Sequence, residues 1–202
     1  MSVTRARVTA LILAGGKATR LGGIDKRELV VDGATIFERQ IAVLAPCVAE
    51  ILVSSPRPIA GYRTVADTVP DAGPLAGIAA GLAVAVTPWL LVVAGDMPHL
   101  TPALVATLLA IPEPEPDAVG VRVGALYEPL LCVLRVEAAR PVAAARLASG
   151  RFAAQRLLTD GELAVHWLDE SRLRAIDPEL KFLTNVNRPE DLSSSRGTAD
   201  RS

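Results

Sequence analysis

The chain has 202 residues, half of them hydrophobic but only 3% aromatic, and it sets 21 basic against 22 acidic side chains for a formal charge of -1. This length suits one sizeable domain with a core of small aliphatic side chains and needs no linker between halves. A charge so near zero leaves no global electrostatic footprint for nucleic acid or for an anionic membrane, and both are excluded as partners.

At the N-terminus Arg5 and Arg7 precede an apolar run, as in a secretory signal, but the run is short and meets Gly15, Gly16 and Lys17 instead of a small-residue cleavage site. Residues 8–13, 51–54 and 89–94 are apolar without alternation, the pattern of strands covered on both faces of a parallel sheet. Between them lie helical spacings: Ile36, Ile41 and Leu44 in the first interval, and 75–86 after the Gly73-Pro74 turn. Strand and helix alternate, so the expected fold is an open, doubly wound, mostly parallel α/β sheet, because parallel neighbours need helical crossovers.

The next helix is expected over 102–109 with Thr101 as its N-cap, after which the prolines of "IPEPEP" at 111–116 break regular structure. Strands are expected at 118–123, 130–134 and 165–168, and helices at 136–148 and 152–158. "NVNRPEDL" at 185–192 reads as a loop feeding a helix, with Pro189 in its first turn. Residues 1–192 form the expected domain, and the small polar residues of 193–202 make a disordered tail. The longest apolar run, 82–95, is interrupted by Thr87 and Pro88 and falls short of the roughly 20 residues of a membrane span. The expectation is a soluble, cytoplasmic protein. Cys47 and Cys132 lack both metal-site spacing and the density of a disulfide scaffold, so they are expected to be buried, reduced and inert.

Three stretches carry chemistry. "LILAGGKATRLGGIDK" at 11–26 runs from a buried strand into glycines and cations. In a doubly wound sheet ligands sit at the carboxyl ends of the strands, so Gly15 and Gly16 would let backbone amides approach a ligand while Lys17, Arg20 and Lys26 face phosphate oxygens. Neither a Walker loop nor Gly-x-Gly-x-x-Gly is present, so a nucleoside triphosphate would be held in another geometry. "WLLVVAGDMP" at 89–98 delivers Asp96 to a strand end, where a carboxylate suits magnesium completed by phosphates and water; the alternative is a turn former. "VADTVPDAGPLAGIAAGL" at 65–82 supplies Asp67 and a tight Gly73, Pro74, Gly77 turn into a helix, which can meet a base edge or serve only as a turn. His99 and His166 stand in no Ser-His-Asp or Cys-His constellation. A reaction whose nucleophile is already an anionic phosphate would need no protein base.

"LAGGKATRLGGIDK", "GPLAGIAAGL", "GDMPHL", "YEPLL" and "NVNRPEDL" occur in an order and spacing that resemble the molybdenum cofactor guanylyltransferases, from residue 8 to residue 192. The resemblance implies a Rossmann-like, three-layer nucleotidyltransferase fold and magnesium-dependent transfer of GMP from GTP to the phosphate of molybdopterin cofactor, with release of pyrophosphate. By position, Leu13, Ala14, Gly15 and Gly16 would line the nucleotide, and Arg20 and Lys26 would neutralise the triphosphate. Ser54 and Asp67 would lie by the nucleoside, the loop of Gly73, Pro74, Leu75 and Gly77 would help read the base, and Asp96 would ligate magnesium. Asn185 and Asn187 would sit on the acceptor side. The resemblance also implies transient contact with cofactor-synthesis enzymes or acceptor molybdoenzymes.

The chain departs from that family at Gly95, where a cysteine is common, at Leu21, where methionine is usual, at Arg27-Glu28-Leu29, which replaces a more apolar run, and at Ser54, where some relatives carry asparagine. Rival readings are a cytidylyltransferase on the same cofactor, against which Gly15 speaks, and a nucleotidyltransferase for a sugar or polyol phosphate. A nucleotide-binding regulatory module without catalysis would keep the glycine loop but would not need Asp96 and Lys26 together.

Overall fold

The computed structural model describes residues 5–14, 28–67, 69 and 71–184, together with the backbone of 20–21 and 24–25. Seven strands form one sheet: β1 (Val8–Leu13), β2 (Glu50–Ser54), β3 (Arg63–Val65), β4 (Trp89–Ala94), β5 (Ala118–Val123), β6 (Leu126–Arg135) and β7 (Val165–Leu168). Their spatial order is β7-β5-β6-β4-β1-β2-β3. All neighbouring pairs are parallel except those made by β6, which runs antiparallel to both β4 and β5. The doubly wound, mostly parallel expectation is met.

Among the described residues six α-helices cover the sheet: α1 (Ile36–Leu44), α2 (Pro74–Val84), α3 (Pro102–Leu108), α4 (Val136–Ala148), α5 (Ala154–Thr159) and α6 (Glu170–Ile176). One apolar layer joins Ala10, Ile12, Leu91 and Val93 to Leu44, Leu104, Leu108 and Leu173, from α1, α3 and α6. The other joins Leu11, Leu52, Leu90 and Val92 to Leu75, Ile78, Ala139 and Leu157, from α2, α4 and α5. Successive residues of a strand point to opposite faces, so wholly buried and mostly apolar runs such as Val8–Leu13 were bound to feed both layers. The result is the expected three-layer α/β architecture.

Local chemistry fixes where helices start. Thr35 and Glu38 form a capping box, the threonine hydroxyl accepting from the Glu38 amide at 3.1 Å and the Glu38 carboxylate accepting from the Thr35 amide at 2.8 Å. Thr101 caps α3 as expected, accepting from the Leu104 amide at 3.2 Å. Gly73 precedes α2 with φ of 65°, a left-handed conformation that glycine adopts without strain, and Pro74 opens the helix. α2 is apolar almost all round and lies hard on the sheet, where a Cβ on Gly81 would come within 2.7 Å of the Leu11 side chain.

Several sequence expectations need correction. The strand expected at 130–134 runs from Leu126 to Arg135, because the polar residues of its first half lie beyond the tip of β4 and escape the apolar pattern. β3 and α6 were not anticipated, being only three and seven residues long. Cys132 is buried, and burial pushes its thiol up to about 12, so it is inert as expected. Cys47 is only half-buried.

One polar feature is enclosed on the α4 side. The Arg146 side chain, 2% exposed, bonds Asp160 at 2.9 Å and also pairs with Glu162. Both carboxyls are held below their usual range, with the Arg146 bond as the first cause in each. No helix among the described residues is long and apolar enough to cross a membrane.

Gly81→Ala tests the tight seat of α2. Alanine favours a helix over glycine by about 0.5–1 kcal/mol, but overpacking a filled core typically costs about 1–3 kcal/mol, so the variant should lose about 1 kcal/mol net in denaturant unfolding.

Candidate functional site

Going along the sheet, the chain runs outward from β1 to β2 and β3, then returns through α2 to β4 on the other side of β1. The crossovers diverge between β1 and β4, and such switch points open a crevice at the carboxyl ends of the strands. Leu13, Ala14 and Asp96 stand at that crevice.

The two strand tips are clasped together. Gly95 donates its amide to the Leu13 carbonyl at 3.0 Å, and Ala14 donates to the Ser54 carbonyl of β2 at 2.9 Å. A Cβ on Gly95 would lie 2.7 Å from the Leu13 carbonyl oxygen, a backbone atom that cannot swing aside. The departure from cysteine at this position therefore has a geometric consequence in this chain. It lets β4 bring Asp96 close against the first βα turn.

β3 explains how Asp67 reaches the site: the strand pairs with β2 and releases the chain next to Ser54, whose hydroxyl donates to the Asp67 carboxylate at 3.2 Å. Partial burial pushes the Asp67 carboxyl up, and the serine bond acts against it. Gly77 seats α2 over this corner, since a Cβ there would meet Ser54 Oγ at 2.6 Å and the Leu13 side chain at 2.9 Å. Leu75 is fully buried beneath, while Gly73 and Pro74 are exposed at the rim. Leu13, Ala14, Ser54, Asp67, Gly73, Pro74, Leu75, Gly77 and Asp96 are thus gathered along one edge of the sheet. Gly15, Gly16, Lys26, Asn185 and Asn187, with the side chain of Arg20, lie outside the described residues.

Asp67 and Asp96 cannot hold one ion between them. They follow β3 and β4, three strand spacings apart, on the order of 14 Å at about 4.8 Å per strand. A nearer carboxylate is Glu128, which the sequence reading passed over within "YEPLL". It sits where β6 carries a bulge opposite Val121, and its side chain accepts from the Leu130 amide at 3.1 Å. Burial pushes the Glu128 carboxyl above its ordinary range, the Leu130 bond opposes this, and the negative charge of nearby Asp96 adds to the rise. Its signals in the sequence were its place in the motif "YEPLL" and an acid ahead of a proline at the edge of an expected strand.

A second residue missed was Gln40. It shares the buried stripe of α1 with Ile36 and Leu44, and its amide nitrogen donates to the carbonyls of Ala94 at 2.7 Å and Met97 at 3.1 Å. The signal was present in the spacing of 36, 40 and 44, which puts a polar side chain on the apolar face. His99, in the turn after β4, is half-buried; burial first and Arg39 second hold its imidazole below the usual range.

Asp96 with Glu128 nearby fits a hard cation that uses one or two carboxylates and draws its remaining ligands from phosphates and water. Among the described residues no group of three or more His, Cys, Asp or Glu side chains is placed to hold a metal. Surface clefts of about 310 and 490 Å³ lie at the amino ends of the strands, around Arg63 and around Arg140, and contain none of the expected site residues.

A doubly wound sheet with a carboxylate on the strand beside its first βα turn defines an α/β protein whose ligand site lies at the switch point of the sheet. A family model described as the MobA-like NTP transferase domain matches residues 10–165. A protein of Chloroflexus aggregans named "Probable molybdenum cofactor guanylyltransferase" is 36% identical, with 92% of this chain and 91% of that one covered. The molybdenum cofactor guanylyltransferase of Pseudomonas aeruginosa is 35% identical over 92% of this chain and 93% of its own. Among solved structures, molybdopterin-guanine dinucleotide biosynthesis protein A from Archaeoglobus fulgidus shares the fold with a TM-score of 0.74 at 23% identity, covering 93% of this chain and 96% of that one. This chain belongs to the MobA-like NTP transferase family. It is an enzyme, a nucleotidyltransferase.

Asp96→Asn removes one negative charge beside Glu128, so the Glu128 pKa should fall in carbon-detected NMR titration while staying above the ordinary glutamate range, because its burial remains.

Proposed function

We propose that this enzyme transfers GMP from GTP to the terminal phosphate of molybdopterin cofactor, forming molybdopterin guanine dinucleotide. An acceptor phosphate oxygen attacks the α-phosphorus of GTP, the bond from that phosphorus to the bridging oxygen breaks, and pyrophosphate leaves with the electron pair. The nucleophile is anionic, so no side chain has to remove a proton. The reading is supported by relatives named for this activity at 35–36% identity. The observation that carries it is the 3.0 Å bond from Gly95 to Leu13, which sets Asp96 against the turn where the nucleotide-lining residues Leu13 and Ala14 lie.

In this reading Leu13, Ala14, Gly15 and Gly16 line the nucleotide and Arg20 and Lys26 neutralise its phosphates. Ser54 orients Asp67 toward the nucleoside, and the turn of Gly73 and Pro74 meets the base while Gly77 keeps α2 low enough for it to do so. Leu75 anchors that turn in the core. Asp96 would hold a magnesium ion, whose contribution is to offset the charge that builds on the phosphates. Asn185 and Asn187 face the acceptor. The enzyme works in the cytoplasm and meets cofactor-synthesis enzymes or acceptor molybdoenzymes transiently to deliver its product.

Asp96→Asn should cut pyrophosphate release by at least about 100-fold, the scale on which loss of a group that stabilises transition-state charge is felt, with an unchanged circular dichroism spectrum. An undiminished rate would remove Asp96 from the role. With molybdopterin cofactor as acceptor, GTP should turn over at least about tenfold faster than CTP at equal concentration, a difference of about 1.4 kcal/mol in the barrier. A preference for CTP would overturn the choice of base.

A further inference from the structure

Gln40 occupies a position that packing alone would give to leucine or methionine. It lies between Ile36 and Leu44 on the face of α1 that meets the sheet, and it is fully buried. Its amide nitrogen has two hydrogens and two partners, the carbonyls of Ala94 and Met97. Those carbonyls bracket Gly95 and Asp96. Its own oxygen, Oε1, is buried without a partner. An orphaned buried acceptor costs about 1–3 kcal/mol, a penalty that an apolar residue of the same length would not carry. Both partners are carbonyl oxygens, so the nitrogen must face them, and no acceptor could take its place.

The turn after β4 is thus held from two sides. The Leu13 carbonyl takes the Gly95 amide from the β1 side, and Gln40 ties the flanking carbonyls to α1. What remains between these anchors is the short stretch that aims the Asp96 carboxylate. We infer that Gln40 is a positioning residue for nucleotidyl transfer: by tying the carbonyls of Ala94 and Met97 to α1 it fixes the direction of Asp96 toward the cation and the triphosphate. The inference rests on the reading of Asp96 as the cation's carboxylate. It assigns to α1, a helix that carries none of the family's motif residues, a part in the geometry of the reaction.

The test uses the full chain and compares the parent with Gln40→Met, which keeps length and loses both donors, with Gln40→Glu, which keeps shape and sets an acceptor against two acceptors, and with Asp96→Asn. GTP affinity is measured by calorimetry without acceptor, once in magnesium and once in EDTA, so that the ratio of the two reports the magnesium-linked gain with no turnover. Both Gln40 variants should bind GTP in EDTA within about twofold of the parent, lose most of the magnesium-linked gain, and show kcat lowered roughly 10- to 100-fold, the scale of a small misplacement at a reacting centre. Full retention of gain and kcat in both variants, with the gain lost in Asp96→Asn, would overturn the role of Gln40 alone. Loss of the folded state, or of GTP binding in EDTA, in both variants would make Gln40 a general scaffold residue and would equally overturn it. A magnesium-linked gain that survives in Asp96→Asn would instead remove the reading on which the inference stands.

Discussion

The amide of Gly95 reaches the carbonyl of Leu13 across 3.0 Å, and the arrangement of the site depends on that approach. It joins the ends of β1 and β4, the two strands between which the chain reverses its winding and a crevice must open. Any side chain at residue 95 would press on a backbone oxygen, so closeness here depends on the absence of a Cβ. The same device recurs one layer out, where Gly77 and Gly81 let α2 settle onto Leu13, Ser54 and Leu11. Backbone proximity, more than any single side chain, brings the carboxylate and the first βα turn into one neighbourhood.

Electrostatics then works on a small scale. The chain as a whole is almost neutral, yet Asp96 and Glu128 put two acids near each other at the tips of β4 and β6, close enough for one to raise the other's carboxyl. Two acids so placed suit a ligand that arrives with a metal ion between its phosphates and the protein. Asp67 stands apart, three strands away and engaged with Ser54, so its carboxylate serves a different part of any ligand lying along the edge.

How much of this could be read from the amino acids depends on which signal each residue sends. The central strands were legible because 89–94 is apolar throughout and 8–13 is apolar but for Thr9, and Asp96 was legible because it follows such a run. The turn into α2 announced itself through Gly73 and Pro74. Asp67 was found, but the three-residue β3 that places it was not, since so short a strand leaves no period to detect. The first half of β6 was hidden for a different reason: beyond the tip of β4 it is flanked by β5 on one side only and is half-buried, so its residues lose the apolar pattern that marks the second half. The spacing of 36, 40 and 44 marks Gln40 as a polar side chain on a buried face, but what it and Glu128 do depends on partners more than 30 positions away, which no local spacing encodes.

The buried Arg146 with its two carboxylates has a consequence for how this sequence can drift over generations. Asp160 and Glu162 lie at the surface and each also pairs with a second arginine, Arg156 and Arg151, so either acid can change while the other still serves Arg146, but loss of both would leave a buried guanidinium without a counter-charge. Descendants of this chain that keep Arg146 should therefore keep at least one of the two acids, while the other is free to drift.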